Sequence, residues 1–302
     1  MMKIIQQYII LTAVAIACFV TIVKIYKYEK KIYKYEKKIY KYEKKNYEIN
    51  QQIKKKVSMR GDIFRIGEIK FYVPNYPMDD IQKYIVEAKD FYEINELKKV
   101  DKLLPNNPVI LDIGANIGSH TLYWTLKSPK KAKHVYAFEV IDETYNILKR
   151  NIEINNLQNR VTAFDFGLSN VNSSAKVQQK SDSFQSCCAI LERGEGIYKF
   201  KRLDDLDIKE KVDFVKIDVE GQEVSVIEGA KKFLTKNKPL IWVELWVEDT
   251  DKPWVKGIKG NRAKYNALMN ELGYVKIMEL GFEQNQAQVS NFIYQHKSKI
   301  AK

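Results

Sequence analysis

Cysteine is scarce: the 302 residues contain three, at Cys18, Cys187 and Cys188. Adjacent cysteines make a poor structural disulfide, and Cys18 lies in an apolar run. No CxxC pair or Cys/His spacing offers a zinc site, so the thiols read as reduced, in a cytosolic setting. Strong charge is also missing from most of the chain. The net charge is +13, but +9 of it lies between Lys24 and Lys56 and +1 on Lys3, leaving +3 for residues 57–302. That body has no strip of arginines and aromatics, so a general nucleic-acid surface is not indicated. A dinucleotide-binding G-x-G-x-x-G is absent as well.

What is present begins with Ile4–Val23, 20 residues without a charge. As a helix this run is about 30 Å long, the thickness of a bilayer core. Two readings compete: a cleaved signal peptide, with "AIAC" as a weak lipoprotein box, or an uncleaved anchor. The run stays apolar past Cys18 through Phe19, Val20, Ile22 and Val23, which favours the anchor. One lysine precedes the run and thirteen follow it between Lys24 and Lys56. The positive-inside rule then makes this a single-pass membrane protein with its body facing the cytoplasm.

"KIYKYEK" follows three times without error over Lys24–Lys44. With Ile25, Ile32 and Ile39 at heptad position a, Tyr28, Tyr35 and Tyr42 fall at d, and lysine and glutamate fall at g and e. A parallel homodimeric coiled coil would pair those charges between chains. The competing reading is a solitary basic helix near anionic headgroups. Either way the segment is a stalk about 45 Å long if helical. The chain thus divides into an anchor (1–23), a basic heptad stalk (24–56), a hairpin and helix leading into the core (57–107) and a main domain (108–302).

From residue 57 the pattern is that of an α/β domain. "IFRIGEIKFYVPN" alternates around Gly67 and predicts a hairpin. "DDIQKYIVEAKDFYEINELKKVDKLL" predicts a helix capped by Asp79 or Asp80 and ending before Pro105. Strands are then predicted at "PVILDIG", "HVYAFEV", "RVTAFDFGLS", "VDFVKIDVE" and "PLIWVELW". Helices fall between them, one capped by Asp142 and one over "EVSVIEGAKKFLTKN". A further helix, "YNALMNELG", leads to "YVKIMEL" and "NFIYQHK", read as an antiparallel pair. The expected fold is a doubly wound, mostly parallel, seven-stranded Rossmann-like sheet covered on both faces. "DSFQSCC", after the third strand, reads as a loop.

The first strand runs into "LDIGANIGSH". Gly114 and Gly118 let the backbone turn sharply and approach a ligand, and the next helix offers free N–H groups. Asp112 before the first glycine suits an ammonium or sulfonium group and repels a pyrophosphate. Glu139 ends the second strand 21 residues after Gly118, where a carboxylate can take both hydroxyls of a ribose. An adenosine ribose joined to a cationic amino acid describes S-adenosyl-L-methionine.

"VILDIGANIGSHTLYW", "VYAFEV", "LDDL", "VDFVKIDVEGQEVSVIEGA" and "PLIWVEL", in this order, resemble the FkbM-type methyltransferases over Asn106 to Tyr274. The resemblance implies a class I S-adenosylmethionine-dependent fold that transfers a methyl group to a hydroxyl, often of a sugar or polyketide-type product. It makes Asp112, Gly114, Ala115, Asn116, Gly118 and Glu139 cofactor contacts and sets Asp165 near the adenine. "FEV" stands where Phe-Glu-Pro is more usual.

Methyl transfer to an alcohol needs a positioned oxygen and a base. Asp218 and Glu220, two apart in "KIDVEGQE", would share a face if extended. Either is a candidate base or acceptor-orienting group; alternatively, Asp218 orders the loop. Close carboxylates could also hold a divalent metal. His120, just after Gly118, is a third candidate base or a helix-surface residue. The expectation is a membrane-tethered O-methyltransferase acting on a glycan or glycan precursor, with a homodimer through the stalk as a further option. The rivals are an RNA cap-type methyltransferase and a non-catalytic scaffold of the same fold.

Overall fold

The computed structural model describes residues 62–179, 189–193, 198–246, 261–280 and 289–300, and ten isolated positions between 28 and 45. The chain divides into two units, 1–59 and 60–302. In the first, the ten described positions are helical and exposed. The apolar run Ile4–Val23 lies outside the described residues. Among the described residues no helix is long and apolar enough to cross a membrane.

The second unit is built on a seven-stranded sheet. Its strands are β3 (Val109–Ile113), β4 (His134–Phe138), β5 (Val161–Phe164), β10 (Phe214–Ile217), β11 (Leu240–Trp246), β12 (Tyr274–Leu280) and β13 (Val289–His296). Their spatial order is β12-β13-β11-β10-β3-β4-β5, and only β13 runs antiparallel to its neighbours. Every residue of β3 and β10 is buried, as central parallel strands covered on both faces require. From β3 the chain moves outward to β4 and later returns to β10 on the other side. This makes the C-terminal ends of β3 and β10 the switch point where a crevice opens.

Alternate side chains separate the two faces. Ile110, Phe214, Trp242 and Ile293 join one apolar core. Leu111, Ile113, Val215, Ile217, Val243 and Leu245 join the other. The first core also takes residues of the hairpin β1–β2 (Ile63–Ile66, Ile69–Tyr72) and of helices α1 (Asp80–Ala88), α2 (Ile94–Asp101), α3 (Ser119–Leu122) and α4 (Asp142–Ile154). Asn155, at the C-terminal cap of α4, donates to Lys70 O at 2.7 Å and accepts from Lys70 N at 2.9 Å, standing in for a missing strand partner of β2. Asn151 accepts from Tyr72 N and donates to Ile117 O at 2.8 Å, tying the first turn after β3 to α4.

Four short strands form a second sheet: β6 (Gly167–Leu168), β7 (Ser173–Gln179), β8 (Ala189–Arg193) and β9 (Tyr198–Lys201), in the order β6-β9-β7-β8. The stretch read as a plain loop therefore connects two paired strands, although Asp182–Cys188 itself lies outside the described residues. Three helix boundaries also differ from expectation. The long helix before Pro105 is two helices, separated by left-handed residues at Lys89 and Glu93. The expected helix after β10 breaks into α5 (Glu223–Glu228) and α6 (Lys231–Asn237). At that break a Cβ on Gly229 would lie 2.0 Å from Ser169 O, so the chain passes too close to β6 for one continuous helix. Asp204 of "LDDL" accepts from Phe233 N at 2.8 Å and caps α6. Asp142 is the first residue of its helix rather than the cap, which falls at Ile141. Asp79 does cap α1, accepting from Gln82 N at 2.8 Å. The last helix, α7, spans Asn261–Glu271.

Candidate active site

The first turn after β3 is held against the end of β4. Gly114 N and Ala115 N both donate to Phe138 O, at 3.0 and 2.9 Å. Gly114, Asn116 and Gly118 have φ of +79°, +50° and +90°. A Cβ on Gly114 would lie 1.8 Å from Asp218 O, so only glycine lets this turn touch the end of β10. Asn116 N donates to Glu139 Oε2 at 2.9 Å, and Ile141 N donates to Oε1 at 2.8 Å. Burial pushes the Glu139 carboxyl up to about 7, against the pull of these N–H groups and of the Lys216 ammonium.

Asp112 is fully buried. Thr121 Oγ1 donates to its Oδ2 at 2.6 Å, and its Oδ1 has no partner. An orphaned carboxylate oxygen in a buried position is costly unless a ligand completes it. Asp112, Gly114, Ala115, Asn116, Gly118 and Glu139 thus lie together as one wall at the ends of β3 and β4. Its donor set is a carboxylate for a cation, a close backbone approach and a second carboxylate for a ribose, which fits S-adenosylmethionine. Asp165 lies exposed just past β5.

Beside this wall, on the same face of the sheet, lies a layer of charge. Asp112, Lys216 and Glu244 each sit between residues of the opposite core, so all three point toward the α3 side. Lys216 is in register with Asp112 on one neighbouring strand and with Trp242 on the other; Glu244 is in register with Asn291. Lys216 Nζ lies 2.9 Å from Asp218 Oδ2. Burial pulls the Lys216 ammonium down, but Asp218, Asp112 and Glu93 outweigh it and hold the net shift upward. Burial, reinforced by the charges of Asp218 and Glu93, raises Glu244 well above the usual carboxylate range. Burial likewise pushes Glu223 up to about 7, although Gly221 N donates to it at 2.8 Å.

His120 is brought into this layer and is not a surface residue: it is 6% exposed, with Nε2 3.2 Å from Glu93 Oε2. Its ring lies 5.4 Å from Trp242 and 5.7 Å from Trp124. Asp218 and Glu220 do not share a strand face. The strand ends at Ile217, and Glu220, at φ +53°, begins a turn completed by Gly221. Asp218 joins the layer through Lys216, whereas Glu220 is a half-buried turn residue. Among the described residues no group of three or more His, Cys, Asp or Glu could hold a metal ion, so the divalent-cation option gains no support.

Sequence reasoning missed Lys216, Glu93 and Asn291. A lysine inside the wholly buried strand "FVKI" is itself a signal, because an ammonium there demands anionic partners. Glu93 and Asn291 carry no such local mark.

The FkbM methyltransferase domain model matches residues 112–276, from the Asp112 carboxylate to β12. The chain belongs to the FkbM methyltransferase family. It is 30% identical to the methyltransferase sdnD of Sordaria araneosa over 192 residues, covering 51% of this chain and 73% of that one. An uncharacterized RNA methyltransferase of Listeria innocua is 32% identical over 93 residues, covering 28% of this chain and 19% of that one. Among solved structures, an FkbM methyltransferase of Methylobacillus flagellatus aligns at 15% identity and a TM-score of 0.46, covering 70% of this chain and 52% of that one. This chain therefore spans about a fifth of the Listeria relative and about half of the Methylobacillus one. Membership of this family implies S-adenosylmethionine as the cofactor, and the wall from Asp112 to Glu139 is the part of the chain suited to hold it.

Proposed function

We propose that this FkbM methyltransferase is an O-methyltransferase acting on a hydroxyl of a sugar or glycan precursor. Bound S-adenosylmethionine supplies a methyl group on a cationic sulfur. Asp112 would face that cation or its ammonium, and Glu139 the ribose hydroxyls. The observation that carries the acceptor class is the charged layer next to the wall. Even without Glu244, whose carboxyl is raised, its carboxyls Asp112, Asp218 and Glu93 outnumber the one ammonium, Lys216. Such a layer attracts a cationic cofactor and repels a phosphate-bearing acceptor. It suits an uncharged polyol, whose hydroxyls can donate to carboxylates.

The N-terminal run and lysine repeats support a membrane setting. An anchor and stalk would hold the domain near a lipid-linked acceptor on the cytoplasmic side, and the heptad pattern would permit pairing of two copies. In the described single chain, Tyr28 and Tyr35, both at d, are 67% and 54% exposed and so available to a second strand.

Mass spectrometry of host glycans with and without the protein tests the reading. We expect a one-methyl mass increase that depends on the protein; identical glycan profiles would count against it. RNA is the second reading, favoured by the 93-residue similarity to an RNA methyltransferase. Filter binding to RNA at two salt concentrations separates the two, because a phosphate-binding surface loses affinity steeply with salt.

A further inference from the structure

Glu93 and Asn291 both lie outside the segment that matches the family domain. They are 198 positions apart in the chain, yet Asn291 Nδ2 lies 3.4 Å from Glu93 Oε1. The other oxygen of Glu93 is the one 3.2 Å from His120 Nε2. The pair is within ion-pair reach, but the ring nitrogen is not aligned for a proper hydrogen bond. Contacts of this kind often tighten only when substrate binds. Asn291 is itself fixed: its Oδ1 accepts from Trp242 Nε1 at 2.6 Å, and its Nδ2 lies 3.4 Å from Glu244 Oε2. Trp242 in turn packs beside the His120 ring.

The imidazole thus has a carboxylate within ion-pair reach of one nitrogen and two tilted indole rings beside it. A buried histidine oriented in this way by an anion matches the base-and-orienter arrangement of general-base catalysis. The other charged groups of the layer are Asp112, Lys216, Asp218 and Glu244, and the ring centre of Tyr92 lies 6.3 Å from that of the imidazole.

We propose that His120 is the base that takes the acceptor's proton, that Glu93 orients it, and that Asn291 positions Glu93. This rests on the O-methyltransferase reading. In the step, the acceptor oxygen bonds to the methyl carbon as the carbon–sulfur bond breaks. The bonding pair remains on sulfur, which becomes a neutral thioether, and the hydroxyl proton passes to Nδ1 of His120. The resulting imidazolium is stabilised by Glu93 at Nε2. Glu93 and Asn291 thereby enter the acceptor chemistry from outside the segment that matches the family model.

The test uses the full chain in two measurements. The first is an NMR titration of the His120 imidazole, simplified by there being only three histidines. The second is transfer of isotope-labelled methyl from S-adenosylmethionine to a membrane glycolipid extract. We expect His120→Gln to cut transfer by about 100-fold or more, the usual scale for a lost general base, while cofactor affinity measured by calorimetry stays within about threefold. Glu93→Gln should shift the pH response of the imidazole signals and of the transfer rate, because a neighbouring carboxylate is lost. Glu93→Asp should restore part of the shift. Asn291→Leu should weaken the coupling between Glu93 and His120 in the titration.

An imidazole titration unchanged in Glu93→Gln, or wild-type transfer by His120→Gln, would overturn the proposal alone. No labelled hydroxyl product from the wild type would overturn the O-transfer reading and the proposal together.

Discussion

The two halves of the crevice are built in opposite ways. The cofactor half is local: Asp112, the glycine turn and Glu139 lie within one strand–helix–strand unit, and backbone hydrogen bonds to Phe138 and Glu139 fix their geometry. The half proposed to take the acceptor is assembled from far apart, with Glu93, His120, Lys216, Glu244 and Asn291 contributed by a loop, a helix and three strands. The cofactor half holds its ligand groups with main chain, whereas the acceptor half depends on balanced side-chain charge. A family can keep the first while changing the second, and here two residues of the second lie beyond the family domain.

The largest expected effect comes from removing the balancing charge. Lys216→Met leaves Asp112, Asp218 and Glu93 facing one another in a buried layer. Breaking a buried pair of this kind costs about 3–5 kcal/mol, so chemical denaturation should show a loss of that order. A loss below about 1 kcal/mol would mean that the layer is solvated and the contrast between the halves is weaker than drawn.

Gly114→Ala attacks the other half. It must relieve a 1.8 Å approach to Asp218 O and adopt φ +79°, a strain of about 1–3 kcal/mol. Stability should therefore fall less than in Lys216→Met, while S-adenosylmethionine binding is lost. Retained binding would show that the turn does not cradle the cofactor.

The pH response sharpens the comparison further. Glu139 and Glu223 titrate near 7 and Glu244 is also raised, all above the usual carboxylate range. Groups raised on folding contribute stability that is present below their unfolded pKa and lost as pH rises through the folded value. The cofactor-free protein should thus lose thermal stability between about pH 5 and 8. Cofactor affinity should move the opposite way, rising toward pH 7 as Glu139 ionises to accept the ribose hydroxyls, and Glu139→Gln should flatten that rise.

Asp204→Ala gives the smallest effect. It removes the α6 cap, far from either half, and should cost about 1 kcal/mol without changing cofactor affinity.

The same local-versus-distant division explains what the sequence disclosed. The seven strands and the antiparallel closing pair were legible because each strand carries its own apolar pattern. The turn proposed to hold the cofactor stood out because glycine and carboxylate spacing is a local code. The shared face expected of Asp218 and Glu220 does not form, because alternation holds only in extended chain and the left-handed turn at Glu220 ends it. The break between α5 and α6 depends on Ser169 passing Gly229, a tertiary contact that no helical period records. Glu93 sits at a left-handed break inside a run that reads as continuous helix, so nothing nearby marks its partnership with Asn291.

The most direct test of the account is calorimetric titration of S-adenosylmethionine into the full-length protein, into His120→Gln, and into the Asp112→Asn/Glu139→Gln double variant. The account expects binding to the first two with similar affinity and a loss of about 100-fold or more in the third, from two charged hydrogen-bonding partners. Equal affinity in all three, or no binding to the wild type, would contradict it.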